Sequence, residues 1–586
     1  LIFIRLSLLF FLALIISTPV NATNYYVRSD GSVSTCSAEN LSSNTAGGDA
    51  AATSFNLEGL DICLETDVFV GGDIVYLSGT GGDFTVADIP ADNTGYYIIV
   101  PDNSGGASSS SRLTFQGLPG ALPTLEGINS YSGSWTDEDA ENAAWVSDST
   151  ITAGVARALY DSGLLSYGDG LPSTNLADCR ATDGSWYYDS TSDLLYVNPV
   201  GTADPNTAAV TYIDSTAQGI NVVDSYIKIE DITFSNMKSF GGQNSSLDVY
   251  FDTVTFDSYS DQAWETSEWG TTYFKDCTWV GNTFTSATSA TKTSSDGDMI
   301  SIHADDENAV TTVIVDGGSV TNSYGPGSLA GGIIYLHIRG VVHDRVYPQT
   351  ISVSDNNIAL GGMMLTDASY FKASSPTTGK NAVVAGSYLY SPSADIAGKN
   401  LGTTSVTVPN HVIYLNDTIY FNSTQYLSTY GADGSGEIVN SIMIYPWTGY
   451  RLQSGHTLNI WRSIIYGYAA QVINSGGILN NYSPAAWTGS TNPTITLDTD
   501  NKKYSLDVGS PAINSANDAS ANVNIELLLK TNLANMIGGI NLYSWSGTDS
   551  SMLQIVSGGV YGYNADVGAI QVNDIVFRHP GIALMQ

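Results

Sequence analysis

Apolar residues recur in pairs five positions apart through the middle of the chain: Ile229/Phe234, Phe251/Phe256, Phe274/Trp279, Val315/Val320, Val353/Ile358, Val384/Leu389, Leu415/Tyr420, Val439/Ile444 and Ile460/Ile465. Their first members lie 22, 23, 41, 38, 31, 31, 24 and 21 residues apart. Between the two members most copies place a turn-tolerant residue: Asp231, Asp276, Gly317, Asp355, Gly386, Asp417 or Ser441. The pattern predicts two short strands around a bend, repeated every twenty-odd residues. A unit of that length cannot bury its apolar face alone, so successive units stack into a solenoid whose inward side chains form a continuous core. Parallel stacking pairs each strand with its equivalent in the next coil and leaves open edges only at the two ends, which caps must cover.

Three alternating segments of one shape fall inside this series: Asp298–His303, Gly332–His337 and Gly362–Asp367. Alternation directs Ile300/Ile302, Ile334/Leu336 and Met364/Thr366 inward, with Ser301/His303/Asp305, Tyr335/His337/Arg339 and Leu365/Asp367/Ser369 outward. Stacked in register about 4.8 Å apart, His303, His337 and Asp367 would form one outward row, and Asp305, Arg339 and Ser369 the next. The two longest steps, 41 and 38, flank this patch, and loops grow where function is usually placed.

Before the repeats, Gly72–Gly79, Arg112–Gly120 and Pro123–Gly127 read as Gly-punctuated strands. Residues 128–215 break the rhythm, and Trp186–Pro199 reads as two strands around a polar turn, a β-hairpin. The opening runs resemble those of secreted proteins of the pectate-lyase-like superfamily, and the hairpin is similar to an insertion found in β-helix glycosidases. The tail holds Leu506–Asn514 and Asn564–Gln571, which resemble the paired "SPAID" and "DIGAYE" signatures that end many bacterial secreted β-helix domains. Asn514 stands where the signature has Asp, and Gln571 where it has Glu. The resemblance implies an all-β, right-handed parallel β-helix solenoid with an N-terminal cap and a β-hairpin insertion. The expected organisation is a signal peptide (1–22), cap and first coils (23–127), insertion (128–215), central β-helix (216–470) and C-terminal coils and cap (471–586).

Composition narrows the function. Gly at 59 and Tyr at 35 of 586 residues favour many short strands and turns. Arg5, the apolar run Leu6–Ile16 and the small-residue ending Val20–Ala22 read as a secretory signal too short to span a bilayer. The chain is therefore expected to be secreted or at the cell surface, without stable membrane insertion. A net charge of -37 with only 20 Lys plus Arg argues against nucleic acid as a partner. Of the four cysteines, Cys36 with Cys63 is a reasonable disulfide in an exported cap, and Cys179 with Cys277 is possible by elimination.

The patch has the groups that β-elimination on a uronate polymer requires. Arg339, or a Ca2+ ion, would neutralise the sugar carboxylate and the enolate. His337 or His303 would be the base and Tyr335 the acid. Asp296, Asp298, Asp305, Asp306 and Glu307 supply enough oxygens for Ca2+ but lack EF-hand spacing. Trp264 and Trp269 are candidates to stack on sugar rings, with Arg345 adding to the basic spot. Hydrolysis by Asp305 or Asp306 with Asp367 is the rival chemistry, although the Gly-His-Gly and Arg-Ile-Lys motifs of the polygalacturonase branch are absent. The alternative to an enzyme is a non-catalytic adhesin or matrix protein binding an extracellular polysaccharide along a long β-face.

Overall fold

A computed structural model describes residues 22–321, apart from 139–143, 153–154, 161–170, 174, 208–209, 245–247, 260–261, 268–269, 282–297 and 305–309, and beyond 321 the strands as far as 560. One turn of chain holds three strands, Gln218–Val222, Ile227–Glu230 and Thr233–Ser235. The next repeats them as Ser239–Asn244, Asp248–Asp252 and Thr255–Asp257, and the next as Gln262–Ser267, Gly270–Lys275 and Thr278–Val280. Each strand pairs in parallel with its equivalent one turn on. The result is three parallel sheets of fourteen, eight and seven strands, followed by a five-stranded parallel sheet that starts at Met364–Leu365. The molecule is mostly β. The described residues form three α-helices, α1 (Ala38–Gly47), α2 (Leu57–Glu65) and α3 (Leu176–Ala181).

The bend between the fourteen- and seven-stranded sheets is made by left-handed residues: Asp231, Thr253 and Asp276, with φ of 55, 57 and 50°, and then the pair Gly317 and Gly318, with φ of 74 and 80°. Asp and Gly tolerate that region, whereas a β-branched residue is strained in it. At Thr253 the bend is held by its N–H donating to the Lys275 carbonyl of the next turn at 2.9 Å.

Inside, Ile229, Phe251, Phe274 and Val315 make one row, and Phe234, Phe256, Trp279 and Val320 a second. All eight are buried. Their rings stack along the rows: Phe251 on Phe274 at 4.7 Å, Phe256 on Trp279 at 5.7 Å. The five-residue spacing thus marks true rungs from 229 to 320. Farther on it slips. Val353 lies in the eight-stranded sheet while Ile358 lies in the fourteen-stranded one, Val384 pairs with Tyr414 rather than Leu415, and Ile460 pairs with Ile438 rather than Val439. Here apolar neighbours such as Val383-Val384 and Ile438-Val439 occupy both parities of a strand, so the pattern cannot fix a register.

At the N-terminus the fourteen-stranded sheet opens with Asn24–Arg28, Ile74–Ser78 and Leu113–Gly117. Helices α1 and α2 lie between the first two of these strands. Ser37 and Asn56 cap them by accepting from Asn40 N–H and Gly59 N–H, and α2 buries Leu57, Leu60 and Leu64 in the core. A Cys36–Cys63 disulfide ties the segment down. Cys179 and Cys277 do not pair: both are free and buried, one on α3 and the other beside the Asp276 bend, and burial pushes their thiols up to about 11 and about 12.

Buried Asp61 on α2 has its carboxyl raised above the usual range, first by desolvation and then by Glu65, Glu58 and Asp92, with Asn93 partly opposing. A carboxyl raised on folding stabilises below its unfolded value and loses that contribution as pH rises through the folded one. Asp61→Asn is therefore expected to raise the melting temperature at pH 7, with the gain vanishing below about pH 4. A pH series of thermal melts on both proteins checks this.

Residues 128–214 depart from the stack. Ile128–Tyr131, Val155–Tyr160 and Val210–Asp214 pair antiparallel. Trp135–Asp137, Trp145–Ser147, Ser185–Asp189 and Leu194–Asn198 do likewise in a five-stranded sheet. This segment buries a core of its own, including Trp135, Trp145, Trp186, Leu195 and Val197. After it the parallel stack resumes, with Gln218–Val222 pairing directly onto Tyr96–Val100.

Candidate functional site

Alternation along the fourteen-stranded sheet sends Val249, Phe251 and Phe274 into the core and leaves Asp248, Tyr250, Tyr273 and Lys275 on the outer face. Because the turns stack in register, these residues form rows. One runs Lys228, Tyr250, Tyr273, Ile314; its neighbour runs Glu230, Asp252, Lys275, Asp316. Tyr250 and Tyr273 stack at 4.9 Å with planes 10° apart, and the Arg112 and Lys228 cations sit over the Tyr250 ring at 5.3 and 5.7 Å.

Arg112 also grips Asp248 with two bonds of 2.6 and 3.0 Å, reaching across the intervening strand Ile227–Glu230. Lys228 pairs with Glu230 at 2.8 Å and Asp252 at 3.5 Å, and Lys275 donates to both Asp252 oxygens at 3.0 and 3.2 Å. That contact with Asp252 raises the Lys275 ammonium above its ordinary range, desolvation opposing. In a chain of net charge -37, three cations here are set against three carboxylates. The face is rich in aromatic surface.

The next strand but one, Ile333–Arg339, extends these rows. By register Tyr335 follows Thr312, His337 follows Ile314 and Arg339 follows Asp316. Three of the residues expected from the sequence therefore hold successive alternate positions on one strand of this sheet. His303 does not join them. It lies on Asp298–Ala304 in the eight-stranded sheet, where its partners are Ser267 and Ala330, whereas His337 is paired with Ile314 and Leu360. The expected pairing of His303 with His337 in one row is thus not formed: the strands Asp298–Ala304, Ile333–Arg339 and Met364–Leu365 belong to three different sheets. Each turn contains three strands of similar alternation, so likeness of shape does not identify equivalent rungs.

One of the two long steps also has a different meaning. The 41-residue step from Phe274 to Val315 is a single swollen turn, since the two pair directly. The 38-residue step from Val315 to Val353 spans the strand Ile333–Arg339, whose Ile338 pairs with Val315. The pair pattern skipped that turn because His343, not an apolar residue, pairs with Val320.

Trp264 is a core residue and not a sugar-stacking one. It is fully buried and meets Phe251 edge-on at 4.7 Å. Asp305, Asp306, Glu307, Asp296, Asp367, Trp269 and Arg345 lie outside the described residues, as do residues 1–21 and, apart from Leu506, the two tail signatures. Asp298 begins its strand in the eight-stranded sheet. Among the described residues no group of three or more His, Cys, Asp or Glu is placed to hold a metal ion.

Sequence reasoning missed Arg112, Lys228, Tyr250, Tyr273 and Lys275. Their signal was present: Lys228, Tyr250 and Tyr273 each precede the first member of an apolar pair, and Glu230, Asp252 and Lys275 each follow it.

No family model matches the chain, and no curated protein matches it. Two solved structures are similar to it at 10% identity and a TM-score of 0.35. One is titled "The complex structure of XylC with xylose" and covers 82% of this chain and 88% of its own. The other, "Glycoside hydrolase", covers 79% of this chain and 97% of its own.

Proposed function

We propose that the protein is a secreted right-handed parallel β-helix that acts on an extracellular, uronate-containing polysaccharide along the outer face of its fourteen-stranded sheet. The observation that carries this reading is the continuity of the rows: stacked tyrosines and cations run in register to Tyr335, His337 and Arg339. Aromatic rings suit the apolar faces of sugar rings, and guanidinium suits a carboxylate.

In the reaction this arrangement supports, Arg339 pairs with the uronate carboxylate and stabilises the negative charge that spreads onto it. His337 takes the proton α to the carboxylate. The electron pair left by the broken C–H bond forms a double bond to the β carbon, whose bond to the glycosidic oxygen breaks, and Tyr335 protonates that oxygen. A second reading, a non-catalytic glycan-binding solenoid, is favoured by one observation: each described cation of the face is already paired with a carboxylate.

Incubation with polygalacturonate, alginate and glucuronan, each with Ca2+ and with chelator, separates the possibilities. A rise in ultraviolet absorbance from unsaturated uronide is expected. New reducing ends without that absorbance would make the protein a hydrolase, and binding without either would make it a non-catalytic glycan-binding protein.

A further inference from the structure

The strand Ser185–Asp189 of the insertion alternates so that Trp186 and Tyr188 face the insertion's core, and its partner Leu194–Asn198 does the same with Leu195 and Val197. The other face of this five-stranded sheet has two parts. Ser185 and Asn198 lie under α3, where both donate to the Cys179 carbonyl. Beyond α3 the face is partly exposed. Tyr187, Tyr196, Val146 and Thr136 are directly opposite one another on four neighbouring strands, with Asp189 and Leu194 forming the next row. None of these six is buried. The Tyr187 and Tyr196 rings lie 6.0 Å apart with planes inclined 31°.

We propose that this face is an accessory site that docks a neutral polysaccharide chain, its pyranose rings lying on Tyr187 and Tyr196. The site is independent of the solenoid face described above. The surroundings point to a sugar. Two partly exposed rings side by side, 6.0 Å apart, present apolar faces to axial C–H groups. Tyrosine offers such area at little cost in side-chain freedom. Hydrogen-bonding groups border the rings on both sides: the Arg180–Glu138 ion pair at the α3 end, and Asp189 with Ser192 and Thr191 at the hairpin turn.

Charge selects the glycan. Among the described residues, two carboxylates, Glu138 and Asp189, and one cation, Arg180, act on the Tyr196 ring, and the whole chain carries -37. A polyuronate is repelled here, whereas a neutral chain is not.

Affinity electrophoresis of the full chain in native gels tests the site. Hydroxyethyl cellulose, glucomannan and arabinoxylan serve as neutral probes, and polygalacturonate as the anionic one. At least one neutral polymer is expected to retard the wild type. Tyr187→Ala/Tyr196→Ala should weaken that retardation at least tenfold, and Tyr187→Trp should keep it. Near-ultraviolet circular dichroism from the insertion's tryptophans reports whether each variant is folded. The proposal is overturned if no neutral polymer retards the wild type, if only polygalacturonate does, or if the folded double variant is retarded as strongly as the wild type. Uronate cleavage is unaffected by the double variant on this account, so failure of either reading leaves the other standing.

Discussion

On the proposed mechanism, Arg339→Ala and His337→Ala are each expected to abolish the formation of unsaturated uronide. The two losses differ in kind. As the proposed general base His337 would move a proton, and removal of such a base costs about 10²- to 10⁴-fold in kcat with little change in KM. Arg339 in its proposed role would meet the sugar carboxylate before reaction and the enolate during it, so its loss is expected to raise KM and also to lower kcat by about 10²- to 10³-fold, the usual range for one oxyanion-stabilising donor. Arg339→Lys keeps the charge but not the two-pronged geometry and recovers only part of the rate. Lys275 is two turns away in the same row as Arg339, and Lys275→Ala should alter KM alone. Steady-state kinetics on the polymer that gives the ultraviolet signal decide the matter. Full activity in both alanine variants would remove these residues from the site.

The contrast between His337 and His303 shows what the sequence could and could not reveal. The spacing of Ile229/Phe234, Phe251/Phe256, Phe274/Trp279 and Val315/Val320 reports the core directly, because one large side chain per strand must enter the stack at each rung. The corner was legible too, through Asp231, Asp276 and Gly317. Thr253 hid the fourth corner: a β-branched residue there contradicts local preference and is held by its bond to the next turn. Alternation within Ile333–Arg339 placed Tyr335, His337 and Arg339 on one side of one strand, which requires no knowledge of neighbouring turns. Placing His303 beside them did require it. The count of strands per turn is a property of how the chain closes on itself, and three strands of equal alternation give no local mark of which sheet each will join. The same ambiguity hid Trp264, whose indole enters the core beside Phe251 although its segment reads like a polar edge.

Phe256→Ala is expected to cost about 3–5 kcal/mol, the largest loss of stability of any single substitution considered. Phe256 is fully buried and meets five aromatic rings, Phe234, Phe240, Phe251, Phe274 and Trp279, with centroids 5.6 to 6.1 Å away. Those rings come from three consecutive turns, so truncation opens a cavity that no single side chain can close without leaving its own row. Phe256→Leu, which keeps most of the volume, should lose less than half as much. Leu122→Ala serves as the control, since Leu122 is 58% exposed and should change stability by less than about 0.5 kcal/mol. Guanidinium titrations followed by tryptophan fluorescence provide the measurement, with Trp279 reporting on the cavity itself. Stacked turns contact mainly their neighbours, so weakening this rung also uncouples the turns on either side. The alanine variant should therefore unfold in two steps. A single transition shifted by less than about 1 kcal/mol would mean that the stack does not depend on aromatic rows crossing from turn to turn.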